Sequence, residues 1–227
     1  DMSKLAPALY EADKYFTIKK DFDNLKQYLI DVIEICLNNE ISFVLTLIDP
    51  ELKLLIENEK LFTKNKITLI MPNKKFIENT FDKFLFFQNY KSYFPLLDTF
   101  KTLNDLKVFH NGIFPFPIIA KERYGSASVG IKIITNINEL KFFDENNTSY
   151  IFQKYIDKVE FGVDVFFDIL NSDLIDFFIK EKISMRAGET DKSISIWNDE
   201  VIKIVLKLNT IKGLRGAIDV DIFYDKD

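Results

Sequence analysis

Two short apolar runs set between stretches of helical spacing constrain this fold more than any other feature. In residues 24–37, Leu25, Tyr28, Leu29, Val32, Ile33 and Cys36 fall on one helical face. Ile41–Ile48 is then a continuous apolar run, closed by Asp49-Pro50-Glu51, where a helix cap, a first-turn proline and an acidic first turn follow one another. Lys66–Met71 is a second short apolar strand, and Pro72-Asn73 opens a helix running to about Tyr90. Helix, buried strand, helix, buried strand, helix predicts a parallel α/β layer, because strands covered on both faces read as unbroken apolar segments.

The period changes after about residue 95. Phe161, Val163, Val165 and Phe167 alternate with Gly162, Asp164, Phe166 and Asp168, and Asn171-Ser172-Asp173 is a turn before another apolar run. That is an antiparallel hairpin. A helix near 199–211 carries Val201, Ile204, Val205 and Leu208 on one face, and Ala217–Tyr224 is a last strand. The expected organisation is an α/β domain over residues 1–80 and an α+β domain over 81–227. Asp1-Met2-Ser3 is no plausible start, and Asp225-Lys226-Asp227 reads as a turn without a second strand. The chain is therefore expected to be part of a longer protein.

Of 227 residues, 47% are hydrophobic and 29% charged, which suits a soluble globular protein with ample core. No run approaches the ~18 apolar residues of a membrane span. A net charge of −5 gives no whole-chain reason to bind nucleic acid. The lone cysteine, Cys36, sits on an apolar helix face, which points to packing and to a reducing, cytoplasmic compartment. The 23 phenylalanines carry no function in this reading.

Pro117–Ile131, PIIAKERYGSASVGI, bears the clearest chemistry. A strand ends in Lys121, and the small residues Gly125, Ser126, Ala127 and Ser128 follow, with Gly130 beyond. Small residues let backbone N–H groups close on an anion, and the lysine adds a compact charge. Lys121 reads either as a phosphate ligand or as an ordinary strand-end lysine. Lys83 alone reads as an exposed helix lysine, and Gln153, Lys154, Ile156 and Glu160 as a solvated strand or an adenosine-binding edge. In the last strand a period of two puts Asp219 and Asp221 on one face, where a hard cation would relieve their repulsion. His110, the single histidine, is expected on the surface, and Trp197 in packing. Neither supplies a catalytic triad, and Cys36 is a poor nucleophile.

Six ordered segments resemble the ATP-grasp superfamily over nearly the whole chain. They are IDPEL (48–52), DK (82–83), FPIIAKERYGSASVG (116–130), FQKYIDKVEFGVDVFFD (152–168), KEKISMRAGETDKS (180–193) and LRGAIDVDIF (214–223). The nearest resemblance is to stand-alone proteins similar to the large chain of carbamoyl-phosphate synthase. It implies a partial Rossmann-like pre-ATP-grasp domain followed by a two-lobed ATP-grasp domain. Lys83 and Lys121 match the two nucleotide lysines, and Gly125–Gly130 matches the glycine-rich lid over the β- and γ-phosphates. Gln153 stands where many relatives have a glutamate that contacts the adenine amino group. Lys154 and Ile156 would offer backbone groups to adenine, Glu160 matches the ribose acid, and Asp221 the first Mg²⁺ ligand. Arg186 lies where relatives place a basic residue near the phosphates or the acceptor. The family's Glu-x-Asn-Pro-Arg motif and its amino-terminal glycine-rich turn are not in this sequence.

The resemblance implies ATP with Mg²⁺ (or Mn²⁺), a small carboxylate acceptor and an amine or thiol nucleophile, joined through an acylphosphate. A homodimer through the α/β layer is compatible with it. The alternative is a nucleotide-binding sensor, or a subunit of a split synthetase, without ligase chemistry of its own. A Rossmann-type dehydrogenase is disfavoured because no Gly-x-Gly-x-x-Gly follows a strand.

Overall fold

A computed structural model describes residues 2–20, 25–125, 130–143, 149–186 and 188–225. The chain forms two compact units, Asp1–Ile70 and Met71–Asp227.

In the first unit, α1 (Leu25–Asn38) buries Leu29 and Cys36. β1 (Phe43–Val44) pairs parallel with β2 (Thr68–Leu69), and α2 (Asp49–Glu57) and α3 (Glu59–Lys64) lie between them in sequence. The parallel pairing agrees with the expectation, but the apolar run 41–48 is not a buried strand. Only two of its residues pair, and Leu47 is 87% exposed. Among the described residues β1 has β2 as its one strand neighbour, and its Phe43 is 54% exposed. Asp49 is also not the cap of α2. Ile48 takes that position, Asp49 and Glu51 are acids of the first turn, and no side chain caps the helix. Glu51 turns inward instead, accepting hydrogen bonds from Lys20 (2.5 Å), Thr46 (2.7 Å) and Tyr28 (2.8 Å).

In the second unit the helix predicted from Pro72 to Tyr90 is two helices, α4 (Lys74–Phe81) and α5 (Lys83–Tyr90). Asp82 between them is extended (φ −97°, ψ 101°), and its carboxylate accepts the N–H groups of Phe84 and Leu85. A side-chain acceptor at a helix start replaces the missing carbonyls of the preceding turn, so the acid ends one helix and begins the next. After α6 (Leu103–Phe109), the strands β3 (Ile118–Glu122), β4 (Lys132–Ile134) and β5 (Tyr150–Lys154) form an antiparallel sheet in the order β4-β3-β5. Its core joins Leu103 and Leu106 of α6 to Ile118, Ala120, Ile134 and Phe152.

The carboxy-terminal sheet has the order β8-β7-β6-β9, all antiparallel, from β6 (Val159–Phe167), β7 (Leu174–Arg186), β8 (Glu189–Ser195) and β9 (Gly216–Tyr224). The predicted hairpin and last strand are both present. Phe161, Val163, Val165 and Phe167 are fully buried and pack with Val201, Val205 and Leu208 of α7 (Asp199–Leu208). α7 is capped by Asn198, whose side-chain oxygen accepts the N–H groups of Glu200 and Val201. Asn198→Ala is expected to destabilise the second unit by about 1 kcal/mol, read as a lowered urea midpoint at unchanged slope. An unchanged midpoint would mean that water caps the helix equally well.

Two minor expectations change. Trp197 is not packed: it is 77% exposed, with its indole N–H on Asp199 (3.0 Å). His110 is half-buried at the end of α6, edge-on to the Phe109 ring at 5.2 Å. Cys36 is buried as predicted, and burial pushes its thiol pKa up.

Candidate functional site

Alternation along β6 decides what its outer face carries. With the odd positions 161–167 in the core, Glu160, Gly162 and Asp164 face the other way. Gly162 pairs with Lys180 of β7 and with Asp221 of β9, and Asp164 pairs with Asp219, so this face collects charges from three strands. Lys182 reaches across it, and its ammonium donates to Glu160 at 2.7 Å and to Asp221. Lys180 donates to Asp164 at 2.7 Å. A Cβ built at Gly162 would lie 2.9 Å from Cε of Lys180 and 3.2 Å from Cε of Lys182, so a side chain there would make both lysine ends shift.

The electrostatics tie the second sheet to this face. Burial lowers the pKa of Lys121 on β3, and the charges of Glu160 and Asp221 partly restore it. Lys121 therefore stands in the field of those two carboxylates. Burial raises Asp219, and Asp221 beside it pushes the same way. Burial alone would lower Lys182, but its hydrogen bonds to Asp221 and Glu160 hold it above the usual lysine value. Lys121, Glu160 and Asp221, far apart in sequence, thus share one locality, with Lys182 between the two acids.

A second assembly lies at the root of the glycine-rich segment. Asp82, 6% exposed, takes both arms of the Arg123 guanidinium, Nε on one oxygen (2.8 Å) and a terminal nitrogen on the other (2.5 Å), with the Tyr124 hydroxyl at 3.2 Å. Burial would raise this carboxyl, but Arg123, the Leu85 N–H and Tyr124 outweigh it and hold the pKa at about 2. Beside it, Lys83 donates from its ammonium to the carbonyls of Glu122 (3.0 Å) and Gly125 (2.5 Å), and from its backbone to Arg123 (3.1 Å). Lys83 is thus a ligand of the loop root, not a solvated helix lysine. Gly130, at φ +73°, lies against Glu122, whose carboxylate would clash with any Cβ there. Ser126, Ala127 and Ser128 lie outside the described residues.

Gln153 on β5 has an orientation that can be deduced. The Thr99 hydroxyl donates to the Leu97 carbonyl at 2.8 Å, so it must accept from Gln153 at 2.8 Å, and the Gln153 Nε2 is the group that faces it. Oε1 is then turned the other way, buried, with no hydrogen-bond partner among the described residues. A buried acceptor left open is uncommon and marks a place where a donor is expected to arrive. Lys154 ends the strand exposed, and Ile156 follows half-buried. Arg186 is placed near the β7–β8 turn with its side chain 82% exposed, and it pairs with Asp191 at 3.3 Å rather than with the lysine–carboxylate group. Among the described residues no three histidine, cysteine or acidic side chains cluster as a metal cage, and no helix is long and apolar enough to cross a membrane.

Lys182, Gly162, Asp82 and Arg123 escaped the sequence reading. Lys180 and Lys182 form an i, i+2 pair on β7, and Lys180 lies opposite Gly162, between Glu160 and Asp164 on β6. A cross-strand charge pattern of that kind is legible only once the register is known.

Residues 1–70 match the family described as the PylC-like N-terminal domain. Solved structures match nearly the whole chain. Biotin carboxylase from Campylobacter jejuni is 16% identical with a TM-score of 0.70, over 98% of this chain and 55% of that one. N5-carboxyaminoimidazole synthetase from Staphylococcus aureus is 20% identical with a TM-score of 0.66, over 100% and 59%. A protein from Archaeoglobus fulgidus assigned to the ATP-grasp superfamily is 16% identical with a TM-score of 0.59, over 97% and 62%. The fold is the ATP-grasp fold. The mixed architecture read from the sequence is thereby borne out. The chain spans a little over half the length of these ATP-grasp structures. Curated protein sequences give no match.

Proposed function

We propose that this chain is the nucleotide-binding part of an ATP-dependent ligase that joins a small carboxylate to an amine or thiol through an acylphosphate. The observation that carries the reading is the convergence of Lys121, Glu160 and Asp221 on one locality of an ATP-grasp fold. Two of the matched structures, a biotin carboxylase in complex with a nucleotide and the Staphylococcus aureus synthetase complexed with ADP, support it.

The residues present fit the nucleotide. The open Oε1 of Gln153 is an acceptor suited to the exocyclic amine of adenine, Glu160 to ribose hydroxyls, and Lys121 to phosphate oxygens. Asp221, with Asp219 beside it, would hold a Mg²⁺ whose remaining ligands are phosphate oxygens and water. When bound, the metal supplies positive charge on the phosphates. The chain's own part is positional. Lys121 offsets charge on the transferring group, the Lys83-held loop root sets where the glycine-rich segment begins, and no side chain acts as a covalent nucleophile. Arg186 would serve the acceptor or the phosphates. The domains are proposed as 1–80 and 81–227, in a reducing cytoplasmic setting suited to the free thiol of Cys36.

Calorimetry with Mg-ATP and Mg-GTP tests the base contact. ATP is expected to bind and GTP to bind poorly, because guanine presents a carbonyl where adenine has its amine. Gln153→Leu should weaken ATP roughly threefold to tenfold, the value of one neutral hydrogen bond. Equal ATP and GTP affinities, unmoved by Gln153→Leu, would remove Gln153 from the site. ADP release by the full-length protein with a panel of carboxylates and amines tests the ligase step, and the absence of any stimulating pair would overturn it.

A further inference from the structure

We propose that Lys182 is a built-in counter-cation that keeps free divalent metal out of this site, so that the metal enters only as its complex with the nucleotide. The inference rests on the ATP-grasp reading above for the identity of the site, and on Lys182 itself for the rest.

Lys182 sits where a metal would compete with it. Its ammonium is hydrogen-bonded at once to Glu160, two residues before Gly162 on β6, and to Asp221, which pairs with Gly162 from β9, and its side chain is 7% exposed. The approach is built into the backbone: Gly162, lacking a Cβ, is the floor over which the Lys182 stem passes. A lysine held merely by chance at a wet surface has neither such a floor nor two carboxylates in contact.

The charge on this face explains the consequence. Glu160, Asp164, Asp219 and Asp221 supply the carboxylates, and Lys121, Lys180 and Lys182 the ammonium groups. With all seven of these groups ionised, Lys121 of the other sheet included, the set is one charge negative, and a bare dication would overshoot it. Without Lys182 the same set carries two negative charges, which a single dication balances. A nucleotide changes the balance from the other side, because its phosphates bring the negative charge that both Lys182 and the metal can share. Phosphate oxygens also complete the metal's coordination, which the face does not do alone.

The test is a Mn²⁺ titration of the full chain without nucleotide, followed by the electron paramagnetic resonance signal of the free ion. The wild-type chain is expected to leave Mn²⁺ free. Lys182→Met, and independently Lys182→Gln, should bind it about tenfold more tightly or better, and Lys182→Arg should still exclude it. Adding Asp221→Asn to Lys182→Met should abolish the gain. Far-ultraviolet circular dichroism establishes that each variant is folded. The proposal is overturned if the wild-type chain itself binds free Mn²⁺, a result that needs no variant to fold, or if the gain survives Asp221→Asn, or if folded Lys182→Met and Lys182→Gln gain nothing. Nucleotide is absent throughout, so failure here leaves the calorimetric result standing, and failure there leaves this one standing.

Discussion

Asp82→Ala is expected to destabilise the second unit by about 3–5 kcal/mol, the usual loss when one partner of a buried ion pair is removed. Two effects add. Arg123, whose side chain is 17% exposed, keeps its charge and loses the two-armed acceptor that satisfied it. The N–H groups of Phe84 and Leu85 lose their cap at the start of α5. The dependence on pH has a definite sign. The folded-state pKa of about 2 lies below the ~3.9 of an unfolded aspartate, so the stabilisation is fully present above that unfolded value. It is lost as pH falls from about 4 through about 2. Urea midpoints between pH 7 and pH 2 should therefore fall less steeply for Asp82→Ala than for the wild type. A loss under about 1 kcal/mol at pH 7 would mean that Arg123 regains water freely, and that the clamp is a surface ion pair in its energetics.

Lys121→Met should weaken ATP binding about tenfold to a hundredfold, the range for a charge-assisted hydrogen bond of about 1.5–3 kcal/mol, while leaving the fold intact. Lys121 is half-buried and its pKa is lowered by that burial, so its charge is lost at a lower pH than that of an ordinary lysine. ATP affinity is therefore expected to decline on the alkaline side earlier than an ordinary lysine would allow. Lys121→Arg, which stays charged, should flatten that decline even if its different shape lowers the affinity overall. The effect on stability runs the other way. Because the folded chain holds this proton less firmly than the unfolded chain, the stability contribution of Lys121 rises with pH across its titration. Calorimetry at several pH values reads the first effect and urea unfolding the second. An alkaline arm identical in the wild type and Lys121→Arg would assign it to another group.

The residues that gave the fold away were those whose neighbours are local. Period two at 161–168 predicted a strand with one buried face, and the structure buries Phe161, Val163, Val165 and Phe167 while Asp164 and Phe166 are exposed. The apolar stripe of 201–208 likewise predicted the helix that covers it. The failures came where a long-range partner decides. Nothing within 72–90 reveals that Asp82 will be claimed by an arginine forty-one positions later, so one continuous helix was the natural expectation. The run 41–48 is apolar enough for a covered strand, but how much of a strand is covered depends on what packs beside it, which its own sequence does not contain. At the site, Lys121, Glu160 and Asp221 could be named by their resemblance to a family pattern. Lys182 could not, because its importance comes from its ammonium meeting Glu160 of β6 and Asp221 of β9, a meeting fixed by how the three strands pair.

Gly162 has a consequence for how this sequence can drift. Its missing side chain and the two long ones at 180 and 182 occupy the same volume, so the three positions cannot vary independently. Enlarging residue 162 first would make both lysine ends shift together, while shortening them first would leave the face short of positive charge until the glycine changed. Either route passes through an intermediate worse than its two ends. Homologues are therefore expected to change these three positions together more often than singly.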